Sequence, residues 1–142
     1  MTFQLDNSLG FILSRTSTRM KNHLLHSIKA YDVTPEQWAV LNRLWEREEV
    51  SPKELAELTS KDQPTTVRIL TKLERKGFIA RKVNPDDNRA FLISLTNEGR
   101  ELKDKLIPLA LEVLDKALKD IDKKQVKEAI VILNKIYANL DR

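Results

Sequence analysis

Residues Ser51 to Leu73 read SPKELAELTSKDQPTTVRILTKL. Ser51-Pro52-Lys53-Glu54 is a helix start, with a hydroxyl ahead of a proline that suits the first turn. A short helix follows, with Leu55 and Leu58 facing inward. Thr59-Ser60-Lys61 is a turn, and Asp62 can cap a longer helix running to about Lys76. The buried stripe expected for that helix is Val67, Leu70 and Leu73, flanked by Ile69. Gly77 stands where a helix stop is expected. A short helix, a turn and a longer helix are the parts of a helix-turn-helix.

The longer helix is divided in character. Its inward side is aliphatic, whereas its N-terminal outward side carries Gln63, Pro64, Thr65, Thr66 and Arg68. Short hydroxyls can approach phosphates and base edges, a threonine methyl can touch a thymine methyl, and Gln and Arg can bond base edges in a major groove. Ser60 and Lys61 lie just ahead, and Lys72, Arg75 and Lys76 further along would meet phosphate. A helix N-terminus itself favours phosphate. The plainer alternative is a generic amphipathic helix with a solvated polar face.

Working outward, two β-prone runs, Phe78 to Val83 and Ala90 to Leu95, enclose the turn-rich Asn84-Pro85-Asp86-Asp87-Asn88. They predict a hairpin with an exposed tip. A charged ribbon placed directly after such a helix reads as the wing of a winged helix. Asp87 and Arg89, two apart, would share a face of the strand. Arg89 suits the narrow minor groove, with Asp87 steering its guanidinium. A surface ion pair is the simpler alternative.

Upstream, Thr34-Pro35-Glu36-Gln37 is a second helix start with a capping box, and Trp38, Leu41 and Leu44/Trp45 form that helix's apolar stripe. From about Phe3 to Ala30, Leu9, Ile12, Thr16, Met20, Leu24 and Ile28 recur at helical spacing. Downstream, Thr96 caps a long helix to about Asp120, kinked at Pro108, and a last helix carries Val126, Ile130, Leu133, Tyr137 and Leu140. The fold class expected is therefore mainly α with a small β-hairpin wing (α+β). One domain would span 1–142, with a winged helix at 34–95 (helix-turn-helix 51–76, wing 78–95). The long flanking helices, 3–32 and 97–140, have wide apolar faces and little partner surface, so they are expected to join two copies as a homodimer. An intramolecular bundle is the alternative.

Composition narrows the function. The chain has 142 residues and a net charge of +4. Between Ser60 and Arg89, eight cations (Lys61, Arg68, Lys72, Arg75, Lys76, Arg81, Lys82, Arg89) face four anions (Asp62, Glu74, Asp86, Asp87), so this one stretch holds the whole surplus. That placement suits a polyanion. With no cysteine, disulfides, thiolate metal sites and thiol redox switching are excluded. No signal-peptide pattern or membrane span is evident, and a cytoplasmic location is expected. No nucleophile–base pair or phosphate-cradling glycine loop argues for an enzyme, and no cofactor is expected.

The run Asp87-Asn88-Arg89-Ala90-Phe91-Leu92-Ile93-Ser94-Leu95-Thr96 resembles the wing signature of the MarR (multiple antibiotic resistance regulator) family: Asp, one residue, Arg, five residues, Leu-Thr, then a nearby Gly, here Gly99. Leu73-Glu74-Arg75-Lys76-Gly77-Phe78-Ile79 is similar to the family's recognition-helix ending. The resemblance covers essentially the whole chain. It implies a triangular homodimer whose two winged helices read a pseudo-palindromic operator in double-stranded DNA. It matches Thr65 and Arg68 to polar recognition-helix positions and Arg89 to the wing arginine. Many members carry Thr-Val-Thr-Arg where this chain has Thr65-Thr66-Val67-Arg68.

The function expected is a sequence-specific transcriptional regulator, a repressor relieved by a small-molecule effector. Arg15, Arg19, Tyr31 and Trp38 are the candidate lining of an effector pocket, and the resemblance implies a small aromatic or anionic ligand there. For Trp38 a plain core role is the competing reading. His23 and His26, three apart on a helix, raise a metal-responsive regulator as an alternative, although polar surface histidines explain them more simply and no metal site is expected. A winged-helix protein-interaction module that never touches DNA is the other alternative.

Overall fold

The computed structural model describes residues 2–141, the side chains of Asn88 and Arg89 excepted. Six helices and one hairpin follow in the order α1 (Leu9–Ile28), α2 (Pro35–Glu46), α3 (Pro52–Leu58), α4 (Gln63–Arg75), β1 (Ile79–Asn84), β2 (Asp87–Leu95), α5 (Asn97–Ala117) and α6 (Lys123–Asn139). The fold is a winged helix-turn-helix carried between long flanking helices.

Four helix starts rest on side chains that capture backbone N–H groups otherwise left without an acceptor. Thr34 and Gln37 bond each other's backbone N–H reciprocally, both at 3.2 Å. Ser51 accepts from the Glu54 N–H at 3.1 Å, Asp62 from Thr65 at 2.7 Å and Thr96 from Gly99 at 3.1 Å. The recognition-type helix α4 closes at Gly77, whose φ of +82° lies in the left-handed region. The Phe78 N–H reaches the Leu73 carbonyl at 3.1 Å and the Gly77 N–H reaches Glu74 at 3.0 Å, the paired bonds of a glycine-terminated helix.

α1 and α5 are shorter than the segments expected for them, about 3–30 and 97–120. Three-residue 3-10 turns at Leu5–Asn7 and Lys29–Tyr31 bracket α1. α5 ends at Ala117: Leu118 makes the last i→i−4 bond, to Leu114, and Asp120 then turns left-handed at φ 63°. β1 is shifted one residue toward the tip relative to its β-prone run, and β2 extends to 9 residues. The hairpin tip narrows to Pro85-Asp86, and Asn84 accepts the Asp86 N–H at 2.9 Å, an asparagine turn. The strands pair antiparallel from Ile79↔Leu95 to Val83↔Phe91, with a register shift before Asn84↔Asp87. Val50, in the link before α3, exchanges two bonds with Ile93 (3.1 and 2.7 Å) and extends the ribbon inward.

The core lies between α2, α3, α4 and the hairpin: Val40, Leu41, Leu44, Leu55, Leu70, Leu73, Ile79 and Ile93 are buried together with Ile28, Leu102 and Leu106 from α1 and α5. Each such side chain contributes roughly 1.5–3 kcal/mol of burial. The outer helices differ. Among described residues α6 buries none, and Ile130, Val131, Ile132, Leu133, Tyr137 and Leu140 are exposed, as are Leu9, Leu13, Met20 and Leu25 of α1. No described helix is long and apolar enough to cross a membrane.

Candidate nucleic-acid interface

Helix α4 sets the geometry of the site. Thr66, Ile69, Leu70 and Leu73 are buried along one side. Gln63, Pro64, Val67, Arg68, Lys72 and Arg75 are exposed, and Thr65 is partly so. Among the described residues no ion pair engages Arg68, Lys72 or Arg75. The helix therefore offers an outward strip with polar groups at its N-terminal half and cations along its length. Asp62 at its start is held below the ordinary carboxylate range, chiefly because the Thr65 N–H donates to it, with the Thr65 side chain adding to the effect.

Two expectations about this helix are corrected. Thr66 does not face outward: it is fully buried, and its hydroxyl donates to the Asp62 carbonyl at 2.8 Å. That bond satisfies the oxygen within the helix, so the rest of the side chain packs as valine would. Val67 takes the place expected of Thr66 and is 39% exposed. The spacing holds the signal, since Leu70 minus four is 66 and Leu73 minus seven is also 66. Residue type obscured it.

Lys76 is the second correction. It was expected to meet phosphate. Its ammonium instead donates to the Asp32 carbonyl at 2.7 Å and to Gln37 Oε1 at 2.9 Å, with the Asp32 carboxylate 3.3 Å away. Two hydrogen bonds and one ion pair thus hold the ammonium away from the outward strip.

Ahead of α4, Ser60 is exposed with φ +55°, and its hydroxyl lies 3.2 Å from the Tyr137 hydroxyl of α6. Lys61 is partly exposed, and its backbone N–H closes the turn onto Ala56.

The wing is braced against α4 by Arg81, which the sequence reading counted only as a charge. Its Nε is 3.0 Å from Glu74 Oε1, and its guanidinium sits 4.7 Å from the centre of the Phe91 ring, within range of a cation–π attraction. Lys82 pairs with Glu49 at 3.1 Å. Asp87 is exposed at the start of β2. Arg89 lies on β2, and its side chain is outside the described residues.

The base of the wing is locked where Gly99 meets Phe78. A Cβ at Gly99 would overlap the Phe78 carbonyl oxygen, so only glycine allows this approach. The Trp45 indole donates to the Gly99 carbonyl at 3.0 Å.

The four candidate effector residues separate. Arg15 and Arg19 line an open groove of about 730 Å³ between α1 and α5, with His23, Val113 and Lys116. Tyr31 and Trp38 are not in it. Trp38 packs against the core and meets Trp45 edge-on, with ring centroids 5.7 Å apart, so its expected pocket role is corrected to packing. Among the described residues no group of three potential ligands gathers around His23 and His26.

Comparison with known proteins agrees with this geometry. The model of the MarR family matches residues 33–91. The chain is 32% identical over 131 residues to an organic hydroperoxide resistance transcriptional regulator of Bacillus subtilis, covering 92% of this chain and 89% of that one. It superposes on a probable transcriptional regulator from Pseudomonas aeruginosa with a TM-score of 0.88 at 30% identity, covering 94% and 99% of the two chains. A mutant MarR from E. coli complexed with operator DNA gives a TM-score of 0.85 at 25% identity, with coverage of 90% and 92%. With its outward-facing α4, its braced wing and a relative matched along nearly its whole length, the chain belongs to the MarR family of DNA-binding transcriptional regulators.

Proposed function

We propose that two copies of this chain clamp a pseudo-palindromic operator in the cytoplasm and repress transcription by occluding it. The unit at 34–95 reads the duplex and the segments 3–32 and 97–140 join the copies. The observation that carries this reading is the outward strip of α4, where exposed Arg68, Lys72 and Arg75 follow Gln63, Pro64 and Thr65. Gln63, Pro64, Thr65 and Arg68 meet base edges. Lys61, Lys72 and Arg75 neutralise phosphate, Ser60 hydrogen-bonds it, and Asp87 and Arg89 carry the wing to the minor groove. The uncovered apolar side chains of α1 and α6 support pairing, since such surfaces are buried against a second copy in symmetric oligomers. The E. coli neighbour is a complex with operator DNA.

Relief of repression belongs to the α1–α5 groove. Arg15, Arg19 and Lys116, lining it with Val113, suit a small aromatic or anionic effector. The Bacillus relative is named for organic hydroperoxide resistance. This sequence has no cysteine, so any response of its own does not pass through a thiol.

A gel-shift titration over genomic fragments tests the reading. Affinity should fall steeply and linearly on a log–log plot as salt rises, and Arg89→Ala should weaken binding without dissociating the dimer. Binding indifferent to salt, or to no fragment at all, would refute it.

A further inference from the structure

We infer that Lys76 is a positioning residue: its ammonium sets the angle between the reading helix α4 and the α1 arm, and does not itself touch DNA. This rests on the reading of α4 as the DNA-contacting helix. Lys76 is the residue at which α4 ends, and its own N–H still closes the helix onto Lys72 at 3.1 Å. Its side chain is only 22% exposed and reaches across to the joint between α1 and α2. That joint is a three-residue 3-10 turn ending at Asp32, which is left-handed at φ 60°.

The chemistry of the clasp is specific. The Asp32 carbonyl accepts from Lys76 at 2.7 Å, and Gln37 Oε1 accepts at 2.9 Å. That Gln37 oxygen also accepts the Thr34 N–H, and Gln37 is 3% exposed. One cation thus bonds a carbonyl of the joint and the same Gln37 oxygen that closes the capping box of α2. A buried amide oxygen and a left-handed carbonyl fix the ammonium from two sides, and the Asp32 carboxylate at 3.3 Å neutralises it. Because α1 carries an uncovered apolar face, a change of the α1–α4 angle in each copy changes the separation of the two reading helices. The clasp therefore acts on half-site spacing, not on base choice.

The test uses the full chain, whose lack of native cysteine lets paired nitroxide labels be placed at Lys21→Cys on α1 and Lys72→Cys on α4. Labelled chain diluted into excess unlabelled chain reports the α1–α4 distance within one subunit. Lys76→Met keeps the aliphatic stem and removes the ammonium. It should roughly double the width of the distance distribution while far-ultraviolet circular dichroism stays unchanged. An unchanged distribution in the folded variant overturns the proposal.

Unlabelled protein is then titrated with duplexes selected by the parent chain from a random pool. Lys76→Met should bind the preferred half-site spacing about threefold to tenfold more weakly and tolerate neighbouring spacings, with the same slope of log affinity against log salt. A slope shallower by about one phosphate would show a direct DNA contact and overturn the proposal. If the parent chain selects no duplex, the DNA reading fails, while the distance measurement still decides the clasp.

Discussion

The hydroxyl of Thr96 donates a 2.6 Å hydrogen bond to the carbonyl of Gly77, and so joins the foot of the wing to the end of the reading helix. The same oxygen accepts the Gly99 N–H that opens α5, and the Thr96 N–H bonds the Phe78 carbonyl at 3.1 Å. Wing, reading helix and α5 therefore share one residue. Replacing its hydroxyl removes a cap and a tie together. Thr96→Val should lower unfolding free energy by about 1–2 kcal/mol, and Thr96→Ser should restore most of it, as read by urea denaturation. Equal stability of all three proteins would refute this role.

Gly99 explains why the wing signature ends in glycine. An added methyl would overlap the Phe78 carbonyl, a backbone atom that cannot turn aside, and would also crowd Leu95. Gly99→Ala should cost about 2 kcal/mol by overpacking. By contrast Gly10, with open space around it, should tolerate alanine. Thermal melts of the two variants give the comparison, and similar melting temperatures would contradict it.

Thr65 and Thr66 divide folding from recognition. Thr66→Val removes the hydroxyl while the Asp62 carbonyl keeps the Thr66 N–H as its donor, so stability should fall by about 0.5–1.5 kcal/mol, and DNA affinity should stay within about twofold of the parent. Thr65→Val, which loses the hydroxyl contact to the Asp62 cap, should cost less than about 1 kcal/mol of stability and weaken DNA binding about threefold to tenfold. Reversal of the two patterns in gel-shift and denaturation experiments would put the phase of α4 in error.

Asp62 makes the start of α4 acid-sensitive. Its carboxyl is held below the usual carboxylate value, first by the Thr65 N–H and then by the Thr65 side chain. A folded-state value below the unfolded one means the carboxylate supports the fold fully above the ordinary value near 3.8. That support is lost as pH falls through the lowered folded value. Asparagine caps as well without titrating. The melting temperature of the parent should therefore drop more steeply below about pH 4 than that of Asp62→Asn. Parallel curves would rule the cap out as a source of acid sensitivity.

What could be read from the sequence follows from the range of each interaction. The caps Thr34, Ser51, Asp62 and Thr96 were legible because each bonds a backbone N–H three residues ahead. The hairpin was legible from turn residues between β-prone runs, although its strands reach further toward the tip. Thr66 was misread because a hydroxyl bonded inside its own helix behaves as an apolar group, and composition does not reveal that bond. Lys76 was misread because its acceptors lie 44 and 39 residues away. Only the packing of α2 against α4 brings them together. Trp38 was offered two roles, and the T-shaped contact with Trp45 decides for packing. The exposed face of α6 was legible as an apolar stripe from Val126 to Leu140.

Paired subunits are proposed to present two α4 helices to successive turns of one duplex. Hydroxyl-radical footprinting on a selected duplex, with the bound mass measured on the same complex, tests this arrangement most directly. Two protected patches centred about 10 bp apart are expected on a duplex carrying two chains. A single patch, or a complex of one chain per duplex, would contradict it.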